Sequence, residues 1–184
     1  MFLKKYFRKK ILRLLARYTI EELIERGLVV GKNFKCMHGV IIDPSHVWHI
    51  HIGNNVTLAP RVHILAHDTS TYQHLGYTKI GNVTIGDNVF VGAESVILPN
   101  VRIGDNAIIG ANSTVSRDIP ANTVAAGSPA KVICSLKDFI DRNKQLMATS
   151  PVFENGYTLT ENISMEARKA MREKLEHTKT GFVR

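Results

Sequence analysis

A six-residue period runs through the middle of the chain and constrains its fold more than any other feature. Stepping by six from Ile85 meets Val91, Ile97, Ile103, Ile109 and Val115, all branched aliphatics. The residue after each is Gly86, Gly92, Leu98, Gly104, Gly110 or Ser116. The residue two before is Val83, Val89, Ser95, Val101, Ala107 or Ser113. Asparagine recurs three places after the aliphatic, at Asn88, Asn100, Asn106 and Asn112. The pattern also holds upstream at Ile52, Leu58 and Ile64, with Ile50, Val56 and Val62 in the second apolar position and Asn55 in the turn position.

Two inward residues in every six, mostly β-branched, describe short strands around a narrow interior. Asparagine and glycine tolerate the left-handed backbone that a corner needs at a fixed place in each repeat. An amphipathic helix is excluded, because six is not a multiple of 3.6 and the glycines would destabilise it. A chain that turns after each short strand builds a parallel β-helix, a solenoid in which each coil contacts its neighbours.

The segment IGNVTIGDNVFVGAESVILPNVRIGDNAIIGANSTVSRDIPANTVAAGSPAKVI resembles the hexapeptide-repeat acetyltransferases, in the galactoside, maltose and polysaccharide O-acetyltransferase branch. The resemblance covers about residues 38–134, and the DIP…GSPAK segment is its most specific part. It implies a left-handed parallel β-helix with three hexads per coil. That handedness opposes the usual right-handed crossover preference and is not readable from the spacing. The resemblance further implies acetyl-coenzyme A as acyl donor and a homotrimer with active sites between subunits; no metal is expected.

From Ile64 to Ile85 is 21 residues, which is not a multiple of six, so the solenoid must break there. His67 stands at the break, in the slot that asparagine takes elsewhere. The stretch after it, DTSTYQHLGYTK, reads as a protruding loop. Loops on a rigid scaffold often carry function, and imidazole suits general-base work near neutral pH. The resemblance assigns His67 the deprotonation of the acceptor hydroxyl. Asp68 is the second catalytic candidate, as an acidic neighbour able to orient the imidazole. His63, expected to point outward, is the reserve base, and with Tyr72, His74 and Tyr77 it makes the acceptor-contact set. His46, His49 and His51 are either surface residues or lining of the acceptor side.

For the donor, the resemblance places the Ala93 backbone N–H at the thioester carbonyl and Phe90 beside the thioester, where a tryptophan commonly sits. It places Ala111, Ser116 and Arg117 along the pantetheine and nucleotide arms, and Lys131 near the phosphates, where a cation is sensible. The small residues among these are also demanded by the coil itself. A zinc site built on His63, His67 and His74, as in γ-carbonic-anhydrase-like relatives, is disfavoured because no histidine lies between His74 and His177 to supply a ligand from later coils. Cys36 and Cys134 make no disulfide framework, and neither has the setting of a covalent nucleophile.

The net charge is +8, and residues 1–30 hold eight basic and three acidic groups of it. The nearly neutral middle argues against a nucleic-acid surface. Leu3, Phe7, Ile11, Leu14 and Tyr18 follow helical spacing among lysines and arginines. Such a helix suits either an anionic membrane surface, through residues 1–18, or packing on the protein. No apolar run approaches the roughly 18 residues of a membrane span, and arginines interrupt any signal-peptide core. A cytoplasmic location is expected, at the inner membrane face if the helix binds there.

The expected organisation is a basic amphipathic helical segment over 1–30, the β-helix over 31–134 with its loop at 67–79, and a helical extension over 135–184. In the extension, residues 135–149 read as a helix and Ser164 as the N-cap of another, together expected to cap the coil's end. The expected function is acetyl transfer from acetyl-coenzyme A to a saccharide hydroxyl, as in making a capsule, O-antigen or exopolysaccharide precursor. The alternatives are N-acetylation of an amino-sugar nucleotide, acetylation of serine or an antibiotic, a non-catalytic trimeric scaffold, and a zinc hydratase.

Overall fold

A computed structural model describes residues 18–184. The basic helix expected at the N-terminus, and any membrane contact through it, lie outside the described residues. No helix among the described residues is long and apolar enough to cross a membrane. The first described helix, α1 (Ile20–Glu25), starts at a capping box in which Thr19 and Glu22 satisfy each other's backbone amides at 3.2 and 3.0 Å.

From Val29 the chain winds through short strands that stack into three parallel sheets. The first holds Val29–Val30, Ile50–Ile52, Val83–Ile85 and Arg102–Ile103. The second holds Lys35–Cys36, Thr57–Leu58, Phe90–Val91, Ile108–Ile109 and Thr123–Ala126, and is closed by the antiparallel strand Lys131–Ser135. The third holds Ile41–Ile42, His63–Ile64, Val96–Ile97 and Thr114–Val115. The hexad aliphatics pair with one another from coil to coil, as Ile64 with Ile97 and Ile97 with Val115. All nine, from Ile52 to Val115, are 2% exposed or less and form one continuous core.

Two of the inward positions are polar. Ser95 and Ser113 are buried, and both hydroxyls donate to Gly110 O, at 3.0 and 2.7 Å. Burial is tolerated because their hydrogen bonds are made inside the coil.

The corner asparagines do more than turn the chain. Asn33, Asn55, Asn88, Asn106 and Asn122 all have φ between 55° and 58°. Each of the first four donates Nδ2 to Oδ1 of the next, at 2.9 to 3.1 Å, so one corner carries a continuous amide ladder. The left-handed backbone and the ladder have the same side chain as their cause. At another corner Arg61 and Glu94 take the left-handed slot instead and pair with each other.

The ladder spacings also locate the insertions. Third and fourth coils are 18 residues apart, the period of three hexads. Second and third are 33 apart, and first and second 22 apart. The longer excess holds the loop foreseen at His67: His67–Asp68 pair in antiparallel fashion with Lys79–Ile80, and α2 (Tyr72–Leu75) lies between, ended by Gly76 at φ 72°. The shorter excess holds a 3₁₀ turn, Val47–His49. Both insertions leave between a third-sheet strand and the next first-sheet strand, so they project from the same corner in consecutive coils.

Residues 137–184 form a second compact unit. Helix α3 (Leu136–Ala148) leads into it, and α4 (Met165–Thr178) begins where Ser164 Oγ accepts from Ala167 N at 3.1 Å. A two-strand parallel pair, Val152–Phe153 with Phe182–Val183, joins the unit's ends, with Phe153 and Ile163 buried.

Candidate active site

The corner carrying both insertions gathers a carboxylate and several rings. Asp43 follows Ile42 at the end of the first coil's third strand, and Ala66 and His67 follow the strand stacked on it. Residues 24 apart in sequence therefore become neighbours, and His67 Nδ1 hydrogen-bonds Asp43 Oδ2. The same oxygen accepts from Ala66 N at 3.0 Å, while Oδ1 accepts from Ser45 N at 2.9 Å. The Asp43 side chain is fully buried and that of His67 is 27% exposed.

Burial by itself would push the Asp43 carboxyl up. The hydrogen bonds from His67, Ala66 and Ser45 outweigh it and hold the group below the ordinary carboxylate range. A buried carboxylate facing only donors stays ionised and fixes the ring: Nδ1 carries the proton toward Asp43, and Nε2 is left as the basic nitrogen.

The expected partner, Asp68, is engaged elsewhere. Its carboxylate pairs with Lys79 Nζ at 2.6 Å and accepts from Ser70 N at 2.9 Å. Those hydrogen bonds, the lysine's first, hold it well below the ordinary range. Asp68 thus ties the base of the loop, and the carboxylate that meets His67 is Asp43. Adjacent residues in an extended strand point to opposite faces, which is why Asp68 turns away from the imidazole.

The short insertion adds His46, Trp48 and His49. The His46 ring lies 5.0 Å from that of His67 and 5.5 Å from Trp48, and its buried Nδ1 has no hydrogen-bond partner. His49 Nδ1 meets Asn82 Oδ1 at 2.7 Å, across the end of the loop. Asp43, His46 and His67 offer donor atoms within 4.8 Å of one another and form the one group among the described residues able to chelate a metal. His63 and His74 are not in it.

His63 stands on the outer face of the third sheet, level with Ile41 and Val96. Tyr72 and Tyr77 are well exposed on the loop, as is His74. Thr71 Oγ1 donates to Tyr77 O at 2.9 Å and closes the loop's tip.

The donor candidates flank the same sheet. Phe90 is 44% exposed on the second sheet. Ala93 and Ala111 stack at the corner that follows it, where a Cβ on Gly92 would lie 2.4 Å from Ala111 N. Ser116 and Arg117 follow the third sheet's last strand, and Lys131 is exposed in the closing hairpin. At the asparagine corner, the amides of Asn54 and Asp87 donate to the carboxylates of Asp87 and Asp105, at 2.6 and 2.8 Å. The equivalent residues here are Ala93 and Ala111, whose methyl groups offer no acceptor. The side-chain acceptors that meet the amides at the asparagine corner are thus missing at this one, a difference that fits a ligand carbonyl as acceptor.

Comparison with known proteins gives the family. Residues 82–117 match the family model described as bacterial transferase hexapeptide (six repeats). Protein CapG of Staphylococcus aureus is 38% identical over 141 residues, 72% of this chain and 80% of its own. A maltose O-acetyltransferase structure from Clostridium difficile 630 is 31% identical, with a TM-score of 0.53 over 71% of this chain and 84% of that one. A hexapeptide-repeat acetyltransferase from Vibrio cholerae O1 biovar eltor, solved with acetyl-coenzyme A, is 28% identical, with a TM-score of 0.55 over 61% of this chain and 62% of that one. The chain spans only 54–55% of the length of several other curated acetyltransferases it matches. It belongs to the hexapeptide-repeat acetyltransferase family, whose acyl donor is acetyl-coenzyme A.

Proposed function

We propose that this protein transfers the acetyl group of acetyl-coenzyme A to a hydroxyl of a saccharide, with His67 as general base. The observation that carries the reading is the buried Asp43 carboxylate on His67 Nδ1, which leaves Nε2 to take a proton. In the proposed reaction Nε2 accepts the acceptor's hydroxyl proton while its oxygen attacks the thioester carbonyl carbon. The tetrahedral oxyanion is held by the Ala93 N–H. Collapse breaks the carbon–sulfur bond, and the coenzyme A thiolate recovers the proton from Nε2. No covalent enzyme intermediate forms.

The saccharide class is supported by the maltose O-acetyltransferase similarity and by the aromatic and imidazole surround of His67. A surface-polysaccharide precursor is the acceptor we favour within that class. The same reading includes a left-handed coil and a homotrimer in which Phe90, Ala111, Ser116, Arg117 and Lys131 line the donor side between subunits. His63 and the loop residues Tyr72, His74 and Tyr77 face the acceptor.

The test is thiol release from acetyl-coenzyme A against a panel of mono- and oligosaccharides, with wild type and His67→Ala side by side. Release that depends on the saccharide and falls on the order of 10²–10⁴-fold in the variant is expected. A variant as active as wild type would remove His67 from the chemistry.

A further inference from the structure

We infer that Trp48 is the stacking wall of the acceptor subsite, taking the apolar face of a pyranose ring whose hydroxyl is presented to His67. This rests on the saccharide reading above.

Trp48 belongs to the shorter insertion, which makes the first and second coils 22 rather than 18 residues apart. The solenoid needs none of those extra residues, as the regular third and fourth coils show. Yet the insertion is firmly held. Val47 is fully buried in the core, and Gly27, at φ 108°, brings its backbone so near that a Cβ there would lie 2.9 Å from Trp48 Cβ. Only glycine leaves Trp48 this position.

The anchored backbone presents an indole that is 53% exposed. His46 fills the space between it and the base, with ring centroids 5.5 Å from Trp48 and 5.0 Å from His67. The His49 ring lies 5.9 Å from Trp48 and 6.4 Å from His46, and is tied to Asn82 at 2.7 Å. The indole is therefore an anchored apolar surface joined to the base through the His46 ring, with polar ring edges beside it.

That combination matches one ligand chemistry. A pyranose has a flat C–H face that stacks on an aromatic ring and a rim of hydroxyls that needs hydrogen-bond partners. An aliphatic acceptor would use the indole without the polar edges, and a small amino acid would not reach both the indole and His67.

Trp48 is the chain's only tryptophan, so its fluorescence reports on this surface without turnover. The experiment titrates the full-length protein, without acetyl-coenzyme A, with methyl β-galactopyranoside and with maltose. In parallel it measures the KM of whichever saccharide is acetylated in wild type, Trp48→Ala and Trp48→Tyr. We expect a saturable change in emission, a roughly tenfold rise in saccharide KM for Trp48→Ala at unchanged acetyl-coenzyme A KM, and recovery in Trp48→Tyr. Saccharide acetylation with unchanged emission and an unchanged KM in Trp48→Ala would overturn the stacking wall and leave the saccharide reading standing. Acetylation of amines or serine alone, with no response of emission to either sugar, would overturn both. Should Trp48→Ala fail to fold, Trp48→Leu, which keeps bulk without the aromatic face, takes its place, and an unchanged saccharide KM there with unmoved wild-type emission overturns the stacking wall.

Discussion

Replacing Asp43 with asparagine keeps the shape of the side chain and exchanges one oxygen for an amide, so it isolates the work of the carboxylate. Every hydrogen-bond partner of Asp43 is a donor: Ser45 N at 2.9 Å from Oδ1, and Ala66 N at 3.0 Å and His67 Nδ1 at Oδ2. An amide has one acceptor oxygen and a donor in place of the other. If the oxygen serves Ser45, the NH₂ faces Ala66 N–H and forces His67 Nδ1 to accept. The ring proton then moves to Nε2, and the base is lost. If the oxygen serves Ala66 and His67, the NH₂ opposes Ser45 N–H, which is only partly buried.

The first orientation costs catalysis, on the order of 10²–10⁴ in kcat with little change in either KM. The first also costs stability, about 1–3 kcal/mol for the buried Ala66 N–H left unmet, and the second costs less, because Ser45 N–H is only partly buried. Thiol-release kinetics and urea unfolding of the same preparation separate the two.

Stability against pH adds a readout. Asp43 is held below its ordinary value in the folded state, so the unfolded chain binds more protons at this position and stability rises with pH. The contribution is fully present above about pH 4 and is lost as pH falls through the folded value. Asp43→Asn should lack that acid-side loss. A folded variant with wild-type kcat and a wild-type acid limb of stability would refute the argument.

Two further outcomes test the same assignment. Asp68→Asn should leave kcat within roughly threefold of wild type, because its partners are Lys79 and Ser70 and an exposed ion pair contributes little; a large loss would return Asp68 to the catalytic pair. Dialysis against a chelator should leave acetyl transfer intact. Activity that collapses and returns with zinc would instead place a metal on Asp43, His46 and His67.

The features read from the sequence are those with a local cause. Ile97 and its hexad partners are inward because each short strand alternates faces, and the period alone gives that position. Asn55, Asn88 and Asn106 turn the chain because their own side chains tolerate left-handed backbone. His67 stood out because the period fails there. Asn33 and Asn122, at the two ends of the amide ladder, went unread because they lie 22 and 16 residues from their neighbours rather than a multiple of six.

What the amino-acid order determined by itself is the coil: which residues enter the core, where the corners fall, and where one long loop must leave. Tertiary structure decided the site. Asp43 and His67 are 24 residues apart and meet only because stacked coils superpose their corners, with a four-residue insertion between whose length must be known before the two can be aligned. Asp68, next in sequence, does not meet the imidazole, because the strand turns its side chain toward Lys79. Trp48 came beside His46, and through it to the His67 ring, in the same way, carried there by the winding rather than by any motif.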